Sequence, residues 1–186
     1  MFEYIKNNLI AFLALLISIL GFMLSYKNYL KSIVKLKLSY DVNNSFSLGF
    51  IWYNTYKLII IDLTIENNST SNVDISKIRL VDKEKTYLAT KIEIADQYNK
   101  NGISLVKQVE NIDKSYQPIN ITTENILNNS RVSSYGTLNG FAVFQDIEPL
   151  KKPKTFKLVI DTPAKSFKKL VTINPHTGDY NPIHQL

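Results

Sequence analysis

The chain has 186 residues, with 22 Lys and Arg against 16 Asp and Glu for a formal charge of +6, and no cysteine. That length holds one membrane-sized segment and one domain of about 150 residues, and the composition excludes disulfides, thiol nucleophiles and cysteine metal sites. Lys6, Lys27, Lys31, Lys35 and Lys37 against Glu3 supply +4 of the charge, so the basicity flanks an N-terminal apolar run and no nucleic-acid partner is expected, because that would need a basic patch on the folded part.

Residues 9–24, LIAFLALLISILGFML, carry no charge, and the uncharged window reaches from Asn7 to Tyr26. As a helix at about 1.5 Å per residue the window spans about 30 Å, the thickness of a bilayer's hydrocarbon core. The run predicts a single transmembrane helix. A signal peptide is the alternative, but the run is long for one and bulky residues stand where a small-x-small cleavage site would fall. Ala11, Ala14, Ser18 and Gly21 are small residues three or four apart, a spacing that suits self-association or contact with another membrane protein. Tyr26 and Tyr29 suit the headgroup level, and Lys27, Lys31 and Lys35 share one face for as long as the helix continues. These five form the expected membrane interface, with the lipid bilayer as partner. Lysines 27, 31, 35 and 37 outweigh Lys6 and the terminal amine, so positive-inside counting puts the C-terminal domain in the cytoplasm, with an extracellular domain as the alternative.

Near Val34 the apolar period changes from helical to alternating. Leu36, Leu38 and Tyr40 fall on one side and Lys35, Lys37, Ser39 and Asp41 on the other, which predicts a half-buried strand with almost no linker to the helix. Asn43, Asn44 and Ser45 read as a turn. Phe46, Leu48 and Phe50 alternate toward Trp52, Tyr53 and Tyr56. Of these aromatics, Phe50, Trp52, Tyr53 and Tyr56 are candidates for a partner surface, with sandwich core and membrane contact as alternatives. Residues 57–67 are the clearest strand, with Ile59, Ile61, Leu63 and Ile65 on one face, and 67–72 form an emphatic turn. Strands follow over 73–81, with a charged turn at 82–85, and over 86–95, then a shorter one over 103–106. Residues 108–116 are ambiguous, with a loop as one option, 118–122 read as an extended edge because of Pro118, and 123–129 as one or two helical turns capped by Thr122 or Thr123. Strands over 141–144, 155–162 and 167–173 complete the pattern.

Many short strands, turn signals between them and no βαβ spacing predict a mainly β protein: an N-terminal transmembrane helix followed by an antiparallel β-sandwich, Ig-like or jelly-roll-like. The expected organisation is a membrane anchor with a lysine-rich flank over 1–34, the sandwich over 35–173 and a proline- and glycine-rich tail over 174–186.

Chemistry is sparse. His176, Asp179 and His184 lie in the tail without a strand to preorganise them, so no metal site is expected. Asp62 and Glu66 share a strand face but stand roughly 13 Å apart, and Asp146 and Glu148 are loop carboxylates beside Pro149. Gly136 and Gly140 bracket TLN without the Lys-Ser or Lys-Thr of a phosphate loop. No catalytic residue and no cofactor is assigned.

The opening MFEYIKNN, the apolar run and SYKNYLKSIVKLKLSY resemble small uncharacterised single-pass membrane proteins of low-GC Gram-positive bacteria and their mobile elements, and LIIIDLTIENNSTSNVDISKIRL resembles the strand–turn–strand entry of Ig-like accessory domains. The resemblance covers the first 40 residues and residues 58–80. It implies a short anchor, a lysine-rich flank and a β-rich domain, and it transfers no active site. The expected function is a membrane-tethered, non-enzymatic interaction or accessory domain. An exported envelope or surface-binding module and a membrane-anchored hydrolase using loop carboxylates are the alternatives.

Overall fold

The structure, a computed structural model, describes residues 2–49, 57–83, 85–91, 103–109, 112–119, 121–175 and 180–182. In chain order it contains α1 (Phe2–Ser32), β1 (Leu36–Gly49), β2 (Lys57–Asn67), β3 (Val73–Asp74), β4 (Lys77–Asp82), β5 (Lys85–Leu88), β6 (Ile103–Val109), β7 (Ile112–Ile119), a 3-10 turn (Ile126–Asn128), β8 (Arg131–Val132), β9 (Thr137–Gln145), β10 (Lys154–Asp161), β11 (Ser166–Pro175) and β12 (Tyr180–Pro182). Within α1, Asn8–Ser32 is a 25-residue stretch long and apolar enough to cross a membrane, and none of it is buried against the rest of the chain.

The alternation seen in the sequence produces a curled seven-stranded sheet in the order β5-β4-β10-β11-β1-β2-β9. Its two halves face each other. One half is β1–β2–β9 and the other β5–β4–β10–β11. At one seam β1 and β11 pair over only Phe46↔Asn174 and Ser47↔Pro175. At the other, Ala89 just past β5 bridges Phe144 of β9, and Thr90 N–H donates to Val143 O at 2.9 Å. The inward residues of both halves form one cluster: Ile59, Ile61, Leu63 and Ile65 from β2 and Phe144 from β9 meet Ile78, Leu80, Phe156, Leu158, Ile160, Val171 and Ile173. Burying these side chains together is the main favourable term that holds the layers. The first, second and ninth strands lie against the fourth, fifth, tenth and eleventh. That is the immunoglobulin-type order, A-B-E against C′-C-F-G, rather than a jelly roll. The ladders of this sheet are antiparallel except at β1–β11, where both strands run away from α1.

The β1–β2–β9 layer is buried on both faces in the half far from α1. Phe46, Leu48, Leu58, Ile60 and Val143 point away from the core cluster yet are almost fully buried. Double coverage explains why LIII at the start of β2 is a continuous apolar run and alternates only from Asp62 onward.

Several elements differ from the sequence reading, each for a local reason. Asn43–Ser45 do not end the strand but form a bulge inside β1, with pairing resumed at Phe46↔Ile60. Asn43 N–H donates to Asp41 Oδ1 at 2.8 Å, and the Asn44 amide bridges Asp41 and its cross-strand partner Asp62 at 3.1 Å each. This relieves two like charges placed directly opposite. Within the ambiguous segment 108–116, residues 108–109 belong to β6 and 112–116 to β7, which pairs with β6, and β12 adds to the other side of β6. Pro118 therefore sits on an edge strand, where a missing N–H is tolerated. The helical turn is 3-10 and its cap is Asn125, whose side chain accepts from Leu127 N–H at 2.9 Å. β9 runs through Gly140 instead of starting after it. A Cβ there would stand 2.7 Å from Glu124 O and 3.0 Å from Ile126 Cα, so this glycine serves a close backbone crossing.

Candidate functional site

The sandwich has two distinct ends. Leu36 pairs with Asn67 beside α1, and Gly49 pairs with Lys57 at the other end, roughly 33 Å away along β2 at about 3.3 Å per strand residue. The loops at the α1 end are 68–76, the 133–136 connection into β9, and 162–165 between β10 and β11.

The helix is tied to these loops by backbone groups that it leaves unpaired at its C-terminus. Lys31 O accepts from both Thr70 N–H and Thr70 Oγ1, each at 3.2 Å. Lys35 O accepts from Asn68 N–H at 2.8 Å. Ser32 Oγ donates back to Tyr29 O at 2.8 Å. α1 therefore stops at Ser32, and Lys35 lies beyond the helix rather than one turn further along the face of Lys27 and Lys31.

Asn67 is the hub behind this capping. It is 1% exposed. Its Nδ2 donates to Ser71 O at 2.8 Å, Ser133 O at 2.9 Å and Val132 O at 3.4 Å, while its Oδ1 accepts from Ser69 N–H at 3.0 Å and from Ser69 Oγ. The loop before β9 joins the same network. Tyr135 N–H donates to Ser69 O at 3.2 Å, Ser134 N–H to Asn72 Oδ1 at 2.9 Å, and Asn67 N–H to Gly136 O at 2.9 Å. No protein-family model matches this chain, and no curated protein sequence does either.

Of the expected interface residues, Tyr26, Lys27, Tyr29 and Lys31 are exposed on the last two turns of α1, and Lys35 is exposed just after it. Phe22 stacks on Tyr26 with centroids 6.4 Å apart. Ala11, Ala14, Ser18 and Gly21 lie along one side of α1 and are exposed, and a Cβ at Gly21 would meet nothing within 4 Å. The aromatic candidates Phe50, Trp52, Tyr53 and Tyr56 lie outside the described residues, as do His176, Asp179 and His184. Glu66 is paired with Lys37 at 3.0 Å and Glu148 with Lys57. Among the described residues, no three His, Asp or Glu gather as metal ligands would.

The sequence reading passed over Tyr135 and the hub role of Asn67. Tyr135 is 65% exposed and holds a positive φ of 52°, a conformation uncommon for a bulky residue. A tyrosine inside the polar turn Ser133-Ser134-Tyr135-Gly136 was the available signal. The partners of Asn67 lie as far as 66 residues away, and no local pattern could supply them.

Charge at the α1 end is one-sided. Among the described residues its three acids each have a cation: Glu66 with Lys37, Asp74 with Arg131 at 3.8 Å, and Asp161 with Arg79. Lys27, Lys31, Lys35, Lys77 and Lys165 are in no ion pair among the described residues. Arg79 Nε and Nη2 grip Asp161 at 2.6 and 2.8 Å, and Ser166 Oγ donates to the same carboxylate at 2.6 Å. The Arg79 hydrogen bonds, more than the Ser166 bond and the nearby charges of Arg79 and Lys77, hold the Asp161 carboxyl below its usual range. A depressed carboxylate stabilises the fold above the unfolded pKa of about 3.9 and loses that contribution as pH falls through the lower folded value. The melting temperature is expected to drop more steeply below about pH 4 in the native chain than in Asp161→Asn, a difference that calorimetry across an acid series reads directly.

Proposed function

We propose that this chain is a membrane-tethered, non-enzymatic interaction domain. The observation that carries the proposal is the direct junction. A helix of membrane-spanning length ends at Ser32, β1 starts at Leu36, and the 68–70 loop holds the carbonyls of Lys31 and Lys35. A domain joined this closely stays at the bilayer surface, which raises its effective concentration toward any membrane-bound partner. The lysine flank favours a cytoplasmic domain. Partner contact is assigned to the end away from the helix, where Gly49 pairs with Lys57; the candidates Phe50, Trp52, Tyr53 and Tyr56 lie between those two residues in sequence.

Two measurements on the full chain test this reading. The protein is expected to remain in the membrane pellet after a carbonate wash. A Lys151→Cys variant, at an exposed position far from α1, is expected to resist a membrane-impermeant maleimide in intact cells and to react after lysis. Release by carbonate would remove the tether. Labelling of intact cells would reverse the orientation and make the chain an exported surface module.

A further inference from the structure

We infer that the α1 end of the sandwich is a second membrane contact, which seats Tyr135, Lys77 and Lys165 on anionic lipid headgroups. The inference rests on the tethered reading above and goes beyond it, because it assigns a lipid-binding surface to the folded domain itself.

Three observations converge. The first is position. Tyr135 N–H bonds Ser69 O, and the next residue, Thr70, bonds Lys31 O with its N–H and hydroxyl. Two hydrogen bonds and one residue step place the Tyr135 backbone on the order of 10 Å from the last turn of α1. That last turn carries the exposed side chain of Tyr29, and tyrosine is favoured at the headgroup level because its ring is apolar and its hydroxyl wet.

The second is exposure held at a conformational cost. Tyr135 stands at positive φ in a turn closed by Gly136 N–H to Ser133 O at 2.9 Å. A non-glycine residue in that region is strained, and most of the ring stays exposed in return. Among the described residues the other exposed large apolar side chains of the sandwich, Val42, Leu88 and Leu170, sit on strands. Tyr135 alone among them sits on a loop at the α1 end.

The third is charge. Among the described residues every carboxylate at this end is matched, as described above, and the lysines in no ion pair belong both to the helix flank (Lys27, Lys31, Lys35) and to the sandwich (Lys77, Lys165). Lys77 opens β4 and Lys165 ends the loop before β11. A basic residue near an anionic leaflet is attracted to it, and the attraction falls off within a Debye length, so it acts only if this end faces the lipid. The surface is continuous with the spanning helix and complementary to acidic headgroups. It requires no partner protein.

The test uses the full chain in phosphatidylcholine vesicles containing phosphatidylglycerol. Trp52 is the only tryptophan, so Trp52→Phe provides a silent background for three single reporters: Tyr135→Trp at the proposed contact, Leu170→Trp on the exposed face of β11, and Phe22→Trp in the helix. With lipids brominated close to the headgroup, Tyr135→Trp is expected to shift to the blue and lose much of its emission, while Leu170→Trp stays solvent-like. Adding Lys77→Glu and Lys165→Glu is expected to restore most of the Tyr135→Trp emission. If Tyr135→Trp behaves like Leu170→Trp, or ignores the charge reversal, while Phe22→Trp is quenched, the second contact is overturned and the tether stands. If Phe22→Trp also escapes quenching, both readings fall.

Discussion

Phe144→Ala is expected to lower the stability of the sandwich by about 3–5 kcal/mol, the range for removing a fully buried aromatic side chain and leaving a cavity. Phe144 has no exposed surface. It points inward from β9, pairs with Ile59 across the β2 ladder, and makes the bridge to Ala89 that closes the second seam of the sheet. Truncation therefore removes apolar contacts from both layers at the point where they join. Reversible urea unfolding of the full chain in detergent, followed by circular dichroism, would measure it. Leu170→Ala, at a position 66% exposed, serves as the control and is expected to stay within about 0.5 kcal/mol of the parent. A loss below about 1 kcal/mol for Phe144→Ala would mean that the two layers do not share one core.

Asn67→Ala is expected to cost about 2–4 kcal/mol, because a buried polar group that loses its partner typically costs about 1–3 kcal/mol and several are orphaned together. The carbonyls of Ser71, Val132 and Ser133 lose a donor, and the Ser69 amide and hydroxyl lose an acceptor. Asn67→Asp keeps the acceptor but turns a negative oxygen toward those carbonyls, so it is expected to be no better. The diagnostic readout is local. Amide exchange at Ser69, Thr70 and Tyr135 should accelerate ahead of the β10–β11 ladder, because Asn67 organises the loop that caps α1. Uniform acceleration across both layers would instead mark Asn67 as an ordinary contributor to global stability.

These two residues show how differently parts of this protein could be read from its sequence. Ile59, Ile61, Leu63 and Ile65 announce their strand and its inward face by spacing alone, since a side chain in a strand alternates between faces whatever its partner. Phe144 falls in the strand expected over 141–144, but the continuous Phe-Ala-Val-Phe run does not mark which face turns inward. Asn67 is visible only as a turn residue. Its importance comes in part from the Ser133 carbonyl in the loop after β8, which the strand order brings within 3 Å of its amide. Tyr135 is similar: its ring is unremarkable in sequence, and only the hydrogen bond to Ser69 sets it level with the end of α1.

By itself the sequence determined what local chemistry can encode: a helix long and apolar enough to span a bilayer, its lysine flank, a switch from helical to alternating period near Val34, and a mainly β domain without disulfides. The tertiary structure alone decided which strands pair, that β1 and β11 run parallel, that Asn43–Ser45 bulge instead of turning, and which loops gather beside the helix. The physical reason is range. Hydrophobic period and turn propensity act over a few residues, whereas pairing order is fixed by burying both layers in one core at once, and the charge and aromatic exposure at the α1 end follow from that order.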